Sequence, residues 1–284
     1  MHNTAILLVS CPDRTGLVAH ISSFIYQARG NILNFDQHTD IEAHIFLARV
    51  EWDLSGFTIP RSQLAEAFQP LATEYGMQFW IHFGDTVPRV AVFASKFRHC
   101  LEDLLLRHRA GEFQAEIAVV IGNHSETEEI AGTFDIPFRY FPITATNKPK
   151  QERLELCELR ARGVELVVLA RYMQVLSEGF ATAFPNRIIN IHHSFLPAFS
   201  GAHPYQRAYS RGVKLIGATS HYVTMDLDEG PIIEQEVVRV THRDSVADLI
   251  RKGRDLEKLV LARAVRLHLE HRILTYESKT VVFD

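Results

Sequence analysis

The chain has 284 residues, 46% of them apolar and 23% charged, and its formal net charge is −4. This composition is typical of a globular protein with one large domain or two ordinary ones. It excludes the strongly basic surface that a nucleic-acid partner needs. It also excludes a membrane protein, because no apolar run approaches the roughly 18 residues of a membrane span.

The chain contains only three cysteines, Cys11, Cys100 and Cys157. Their low, odd number and wide spacing argue against a disulfide framework and favour a reducing, cytoplasmic setting. The first residues lack a basic start followed by an apolar core, so we expect no signal peptide there.

The first part of the chain alternates between strand and helix patterns in the order β-α-β-β-α-β, which is that of the ferredoxin-like split unit. The predicted strands are 4–10, 31–40, 44–53 and 77–83, and the predicted helices are 17–30 and 61–75. Residues 84–88 have the composition of a linker. We therefore predict an α+β domain over residues 1–84 and a second domain over 85–284.

From residue 89 onward, apolar strands alternate with helices. The predicted strands are 89–94, 115–121, 138–142, 164–169 and 187–192, and the predicted helices are 97–109, 125–134, 150–162 and 175–183. This alternation predicts an α/β, Rossmann-like domain with a mostly parallel sheet, which binds ligands beyond the carboxyl ends of its strands. The last predicted elements are a hairpin (215–224 and 231–240), a long amphipathic helix (245–271) and a terminal edge strand.

Polar side chains interrupt the apolar strand that ends the parallel run. Asn190 and His192 share one face, because side chains two apart in a strand point the same way. An acidic turn ending at Gly230 supplies a carboxylate, and spacing alone does not separate Asp226 from Asp228. An amide, an imidazole and a carboxylate together can move protons around a polarised carbonyl. The alternative is that the Asn and His only make structural hydrogen bonds.

Additional histidines near this strand raise the question of a zinc site: His193, His203 and His221. HxxxH spacing on a helix and paired cysteines are both absent from the sequence, so we predict no metal and expect these histidines to support loops or substrate. The first strand of the second domain is followed by SKFRHC rather than a glycine-rich phosphate loop. Dinucleotide and nucleoside triphosphate cofactors are therefore disfavoured.

The same stretch resembles the catalytic signature of the 10-formyltetrahydrofolate-using formyltransferase family. The matching residues are Asn190-Ile191-His192, Ser194, Leu196, Pro197, Gly201, His203, Pro204, His221, Asp228 and Gly230. The resemblance implies that Asn190, His192 and Asp228 are the catalytic trio. The segment 169–177 is similar to the folate pocket of that family. The implied substrate-binding residues are Arg171, Met173, Val175, Leu176, His203, His221 and Asp226.

The first domain, through CPDRTGLVAHISSFIYQARGNI, resembles an ACT regulatory domain. An ACT domain fused to such a catalytic domain is the architecture of the formyltetrahydrofolate deformylase family, and the tail from Arg251 is similar to that family too. The resemblance implies hydrolysis of 10-formyltetrahydrofolate to formate and tetrahydrofolate, which supplies formate for one-carbon and purine metabolism. Folate is then the substrate, and no cofactor is expected.

The ACT resemblance also implies a homo-oligomer that binds glycine as an inhibitor and methionine as an activator between paired ACT domains. The implied regulatory residues are Asp13, Gly16, Gly30, Asn31 and Ile32. The alternative is that this domain only oligomerises. The alternatives for the second domain are a formyltransferase with an amine acceptor and an inactive folate-binding sensor. The loop SKFRHC differs from the Gly/Asn/Ser-rich loop that holds the acceptor phosphate in the transferases.

Overall fold

The computed structural model of the chain describes residues 3–197 and 204–283. The chain divides into two compact units. The first comprises Met1–Thr86 together with Glu270–Tyr276 and Val281–Asp284, and the second comprises Val87–Leu269 together with Glu277–Thr280. In the described part of the chain, no helix has both the length and the apolar composition needed to cross a bilayer.

The first unit contains the predicted β-α-β-β-α-β order. Its elements are β1 (Thr4–Pro12), α1 (Leu17–Gln27), β2 (Asn31–Asp40), β3 (Ile45–Asp53), α2 (Leu64–Tyr75) and β4 (Gln78–Phe83). The strands form one antiparallel sheet in the order β2-β3-β1-β4. One face of this sheet packs against the helices, where Ala5, Leu7 and Val9 of β1 meet Ile21 and Phe68 in the core.

The opposite face of the first sheet explains a difference from the predicted domain boundary. Leu8 and Leu47 point away from the helices, and they pack against Leu274 and Phe283 near the end of the chain. The buried side chain of Arg49 donates hydrogen bonds from Nε to the His271 carbonyl at 3.1 Å and from Nη2 to the Glu270 carbonyl at 3.3 Å. The segments Glu270–Tyr276 and Val281–Asp284, predicted as part of the second domain, therefore belong to the first unit.

The second unit is built on a seven-stranded sheet. Its elements are β5 (Arg89–Ala94), α3 (His99–Arg109), β6 (Glu116–Gly122), α4 (Glu128–Thr133), β7 (Phe138–Tyr140), α5 (Lys148–Ala161), β8 (Leu166–Ala170), α6 (Glu178–Ala181), β9 (Ile188–His192), α7 (Pro204–Arg211), β10 (Leu215–Tyr222), β11 (Ile232–Arg239) and α8 (Val246–Leu269). The strand order is β11-β10-β9-β8-β5-β6-β7. Strands β5 to β9 pair in parallel, and β10 and β11 add the predicted antiparallel hairpin at one edge.

The direction of winding reverses between β5 and β8. From β5 the chain proceeds to β6 and β7 on one side and then returns to β8 and β9 on the other. Such a reversal opens a crevice at the carboxyl ends of the strands, where open α/β sheets usually bind ligands. The predicted polar pair, Asn190 and His192, lies at the carboxyl end of β9 next to this position.

Three local predictions differ from the structure. The helix predicted over 175–183 is shorter, because only Glu178–Ala181 is helical after the N-cap Ser177. Helix α7 is not among the predicted elements, and it begins at a proline in a stretch rich in proline and glycine. The last residues pair in a separate two-stranded sheet, β12 (Ile273–Tyr276) with β13 (Lys279–Val282), instead of forming an edge strand of a larger sheet.

Candidate active site

A cavity of about 600 Å³ lies in the second unit, at the carboxyl ends of β8 and β9. Its walls come from the segments that follow β5, β8, β9 and β10 and from helices α7 and α8. The residues that line it include Phe97, His99, Arg171, Met173, Val175, Leu176, Asn190, His192, His193, Tyr205, His221, Asp226, Asp228 and Glu257. The three predicted catalytic residues therefore line one cavity.

The predicted trio is assembled from β9 and the turn after β10. His192 Nδ1 lies 3.2 Å from Asp228 Oδ2, and the His192 side chain is buried. Because a carboxylate only accepts hydrogen bonds, Nδ1 is the nitrogen that carries the proton in this pair. The second ring nitrogen, Nε2, is buried and has no hydrogen-bond partner among the described residues. In a neutral imidazole this atom is free to accept a proton.

His221, on β10, orients Asn190. His221 Nδ1 lies 2.9 Å from the Tyr222 carbonyl, which can only accept, so we assign the His221 proton to Nδ1. Its Nε2 then accepts a hydrogen bond from Asn190 Nδ2 at 3.2 Å. This contact uses one of the two amide protons of Asn190. The other proton remains available to an oxyanion in the cavity.

The turn that carries Asp228 has an unusual backbone. Asp228 has a positive φ of 60°, a conformation that Asp tolerates better than most residues. A Cβ on Gly230 would lie 1.7 Å from the Tyr222 carbonyl oxygen, so only glycine allows this close approach to β10. The turn thus directs the Asp228 carboxylate towards the two histidines. The hydrogen bond from His192 holds the pKa of Asp228 well below its usual range.

His193 is a neutral neighbour of this trio. Burial lowers its pKa to about 4, and the positive charge of Arg171 acts in the same direction. Its ring stacks on that of His192 with 5.1 Å between the centroids. His193 therefore packs beside the reacting imidazole without adding a charge at neutral pH.

The structure also brings the predicted substrate-binding residues to this cavity. Met173, Val175 and Leu176 follow β8, and His221 and Asp226 lie on the opposite wall. Arg171 lines the cavity too, but its guanidinium lies over the Phe97 ring and beside Glu257. His203 lies outside the described residues. The roles assigned to these side chains, and to the trio, stay predictions.

Three side chains that the sequence did not single out hold the 173–177 segment in place. Ser95 accepts a hydrogen bond from the Met173 amide at 3.0 Å, Lys148 donates to the Val175 carbonyl, and Glu152 accepts from the Ser177 amide at 3.0 Å. Ser95 follows β5 and the other two lie on α5. Because these contacts join distant parts of the sequence, local patterns give no signal for them.

The comparisons with known proteins cover both units. The family model described as Formyl transferase matches residues 88–265, and the ACT domain model matches residues 5–72. A formyltetrahydrofolate deformylase from Synechocystis sp. is 58% identical over 280 residues, which is 99% of this chain and 98% of the relative. The chain belongs to the formyltetrahydrofolate deformylases.

Other deformylases support this assignment. The Bacillus subtilis formyltetrahydrofolate deformylase is 50% identical over 279 residues, covering 98% of this chain and 93% of the relative. A crystal structure of a formyltetrahydrofolate deformylase from Pseudomonas syringae matches with a TM-score of 0.97 at 44% identity, covering 100% of this chain and 95% of that one. The fold class predicted from the sequence, an ACT domain joined to a formyltransferase-fold domain, is confirmed.

The deformylase cavity has a second group of polar side chains, which the sequence analysis missed. Glu257 lies on α8 and is 1% exposed. Its Oε1 accepts a hydrogen bond from the Tyr205 hydroxyl at 2.7 Å, and its Oε2 lies 2.7 Å from His99 Nε2 and 3.4 Å from Arg171 Nε. We call these four residues the Glu257 cluster. Burial alone would raise the pKa of Glu257, but His99, Arg171 and Tyr205 outweigh it and lower that pKa.

Part of this cluster has the ligand types of a metal site. Ligand atoms of His99, Cys100 and Glu257 lie within 4.8 Å of one another. The guanidinium of Arg171 already supplies a cation beside the Glu257 carboxylate, and a metal ion there would meet its repulsion. The expectation that this deformylase uses no metal stays a prediction.

The predicted regulatory residues lie in the first unit. Gly16 has a positive φ of 94° and is the N-cap of α1. A Cβ on Gly30 would lie 2.6 Å from Ile25 Cγ2, and Ile32 packs against the core, so both have structural roles in this deformylase. Asp13 and Asn31 are exposed. An effector role for any of the five stays a prediction.

Proposed function

We propose that this protein hydrolyses 10-formyltetrahydrofolate to formate and tetrahydrofolate. The observation that carries the proposal is the full-length match to formyltetrahydrofolate deformylases, which includes the ACT unit as well as the catalytic unit. The arrangement of Asn190, His192 and Asp228 in one cavity supplies the chemistry that such a reaction needs.

Water attacks the formyl carbon in the first step. The Nε2 atom of His192 takes up the proton that water loses. Asp228 holds the Nδ1 proton and stabilises the imidazolium that forms. Because the pKa of Asp228 is strongly lowered, its carboxylate is ionised at neutral pH. The pair therefore provides a general base whose tautomer is fixed before the substrate arrives.

Attack converts the formyl oxygen to an oxyanion. The free amide proton of Asn190 and the imidazolium of His192 donate to this oxygen, an interaction that is stronger in the transition state than in the ground state. In the second step the C–N10 bond breaks, and His192 transfers its proton to the leaving nitrogen. The products are formate and tetrahydrofolate, and His192 returns to its neutral state.

The pterin ring of the substrate lies between the 173–176 segment and the turn at 225–228. Four apolar side chains with large exposed surfaces lie on these two walls, namely Met173 (52%), Val175 (54%), Met225 (63%) and Leu227 (64%). Exposed apolar groups of this size are unfavourable in water and are typical of a binding surface. Arg171, Leu176, His221 and Asp226 supply the remaining substrate contacts.

The ACT unit gives the enzyme its regulation. Glycine as an inhibitor and methionine as an activator bind between ACT units of a homo-oligomer, near Asp13, Gly16 and the 30–32 segment. The alternative is that the unit only holds the oligomer together. Calorimetry on the assembled protein distinguishes the two, because heat of binding with either amino acid supports the effector role and its absence supports the structural one.

The enzyme works in the cytoplasm. The three cysteines are unpaired, two of them buried, and this supports a reducing compartment.

One assay tests the activity against its alternatives. The protein is incubated with 10-formyltetrahydrofolate, with and without amine acceptors, and formate and tetrahydrofolate are measured. We expect equal amounts of formate and tetrahydrofolate without any acceptor. Turnover that requires an amine would indicate a formyltransferase, and binding without turnover would indicate a sensor.

A further inference from the structure

Arg171 is a buried cation that lacks hydrogen bonds to the described part of the protein. The residue directly follows β8 and is 8% exposed. Its Nε atom is buried and has no hydrogen-bond partner among the described residues. Its guanidinium contacts the Phe97 ring, with 5.0 Å from Cζ to the centroid, and the Glu257 carboxylate, with 3.4 Å from Nε to Oε2. A guanidinium has five N–H donors, and a buried charge without hydrogen bonds is unfavourable. Arg171 therefore points to an acceptor that a ligand supplies.

The position of Arg171 is beside the reacting groups. Strands β8 and β9 pair in parallel, with Leu169 opposite Asn190. Arg171 and His192 each lie two residues beyond that pair, and neighbouring strands are about 4.8 Å apart. Both side chains line the same cavity of about 600 Å³. A ligand on the Arg171 guanidinium is therefore in the same cavity as the atoms that act on the formyl carbon.

The charges in this cavity favour an anion at Arg171. The described residues that line it include three carboxylates, those of Asp226, Asp228 and Glu257, and two arginines, Arg171 and Arg254. Arg254 is exposed, so Arg171 is the buried one of these two cations. The lowered pKa of Asp228 keeps its carboxylate ionised beside His192 at neutral pH. An anion that forms between Asn190 and His192 is repelled by Asp228 and attracted by Arg171.

The shape of the guanidinium selects the ligand. Glu257 approaches Arg171 at Nε, and its two oxygens also contact the Tyr205 hydroxyl and His99 Nε2. Within residues 3–197 and 204–283, no acceptor binds the edge that Nη1 and Nη2 of Arg171 form. Such an edge binds a planar carboxylate through two parallel hydrogen bonds. Formate is the smallest carboxylate, and it is the anionic product of the proposed hydrolysis.

We propose that Arg171 forms a formate site, which receives this product when the C–N10 bond breaks and holds it until it leaves the cavity. The inference rests on the proposed hydrolysis, and it adds where the anionic product goes. It also gives a role to a buried arginine that the attack of water does not use. Movement of formate from Asp228 towards Arg171 clears the space between Asn190 and His192 for the next substrate.

Binding of formate to the protein without substrate tests this site. The probe is carbon-13 formate, and a titration followed by the NMR linewidth of formate gives its dissociation constant. Arg171→Met removes the guanidinium. Arg254→Met, the matched control, removes an exposed arginine from the same cavity wall. Asn190→Ala shows whether formate binds at the trio instead, and inorganic phosphate is titrated as a second anion.

We expect a millimolar dissociation constant for formate in the wild-type protein, in keeping with the affinity of very small ligands. The constant should rise at least tenfold in Arg171→Met and stay within twofold of the wild-type value in Arg254→Met and Asn190→Ala. If Arg171→Met does not fold, Arg171→Lys keeps the charge beside Glu257 without the planar fork. That variant should raise the constant at least fivefold.

Four results would overturn the proposal. They are the absence of formate binding to the wild-type protein, an unchanged dissociation constant in a folded Arg171→Met or Arg171→Lys protein, loss of binding in Asn190→Ala alone, and phosphate binding that is tighter than formate binding and lost in Arg171→Met. Failure of the proposed function has a different result, since the protein then releases no formate from 10-formyltetrahydrofolate without an acceptor.

Discussion

At the residue scale, the side chains of His192, His221 and Asn190 already use hydrogen-bonding positions for partners inside the site. His192 uses Nδ1 for Asp228, His221 uses Nδ1 for the Tyr222 carbonyl, and Asn190 uses one amide proton for His221. Two groups that the reaction requires remain free. They are the acceptor Nε2 of His192 and the second amide proton of Asn190. These free positions coincide at one cavity because β9 places both side chains on the same face.

Asn190→Ala tests the oxyanion contact. Removing one oxyanion donor typically lowers kcat by about 10²–10³-fold, and KM should change little because the contact forms only in the transition state. Steady-state kinetics with 10-formyltetrahydrofolate measure both constants. Asn34→Ala, at an exposed position on β2 of the other unit, is the control. Near-normal kcat in a folded Asn190→Ala protein would contradict the role of Asn190.

At the element scale, helix α8 has a glycine, Gly253, at the position where Tyr205 packs against it. A Cβ on Gly253 would lie 2.0 Å from the Tyr205 hydroxyl, so the helix keeps a glycine where alanine is intrinsically preferred by about 1 kcal/mol. Without this glycine, Tyr205 could not reach Glu257 one turn further along. The close contact shows that Tyr205 packs tightly against α8 where it reaches Glu257.

Two glycine substitutions compare this contact with ordinary helix propensity. Gly253→Ala should lower the free energy of unfolding by about 1–3 kcal/mol through overpacking against Tyr205. Gly132→Ala on α4, where an added Cβ meets nothing within 4 Å, should be neutral or raise it by up to about 1 kcal/mol. Urea denaturation measures both. Equal effects of the two substitutions would show that Gly253 does not hold Tyr205 in place.

Helix α5 makes a separate contribution to the cavity through Lys148. Lys148→Met removes the hydrogen bond to the Val175 carbonyl and should raise KM about tenfold with little change in kcat, because a charged hydrogen bond contributes about 1.5–3 kcal/mol. Lys150→Met, at an exposed position on the same helix, is the matched control and should leave KM unchanged. A change in kcat alone would place Lys148 in a different role.

The elements differ in how far the sequence could predict them. The patterns of apolar residues along the chain predicted the strands. The position of Asn190 and His192 could be predicted too, because one polar face on an apolar strand is a local pattern. Glu257 could not be recognised, since a single acid in a long amphipathic helix has the pattern of a solvent-exposed residue. Its burial depends on Tyr205 from α7, and the proline and glycine before that helix conceal its start.

At the scale of the whole molecule, most of the C-terminal segment packs with the first unit, although the sequence pattern placed it with the second. Its alternating apolar residues predicted a strand, but nothing local indicates which surface they cover. The deciding features are the open face of Leu8 and Leu47 and the buried guanidinium of Arg49, which come from the other end of the chain. Long-range packing of this kind requires the three-dimensional structure.

The same segment makes the stability of the first unit sensitive to pH. The ring of His82 stacks on that of His271 with 3.7 Å between centroids, and burial lowers the pKa of His82 from 6.5 to about 4. Between these values the unfolded chain binds the proton more readily than the folded protein. The free energy of unfolding therefore falls as the pH decreases from about 6.5 towards 4.

His82→Phe retains a stacking ring without a titrating group. Between pH 7 and pH 5, this variant should lose less stability than the wild-type protein, by up to about 2 kcal/mol. Thermal unfolding at the two pH values measures the difference. His38→Phe, which replaces an exposed histidine on β2, should behave like the wild-type protein. If His82→Phe loses as much stability between pH 7 and pH 5 as the wild-type protein does, this role for His82 is refuted.

The identity of the nucleophile can be measured by hydrolysis in water enriched with oxygen-18. The reaction is run without any amine, formate is analysed by mass spectrometry, and a sample without protein corrects for spontaneous hydrolysis. If His192 and Asp228 activate water against the formyl carbon, each enzymatic formate carries one oxygen-18 atom and one tetrahydrofolate forms with it. Formate without the label, or turnover only when an amine is present, would contradict hydrolysis by this site.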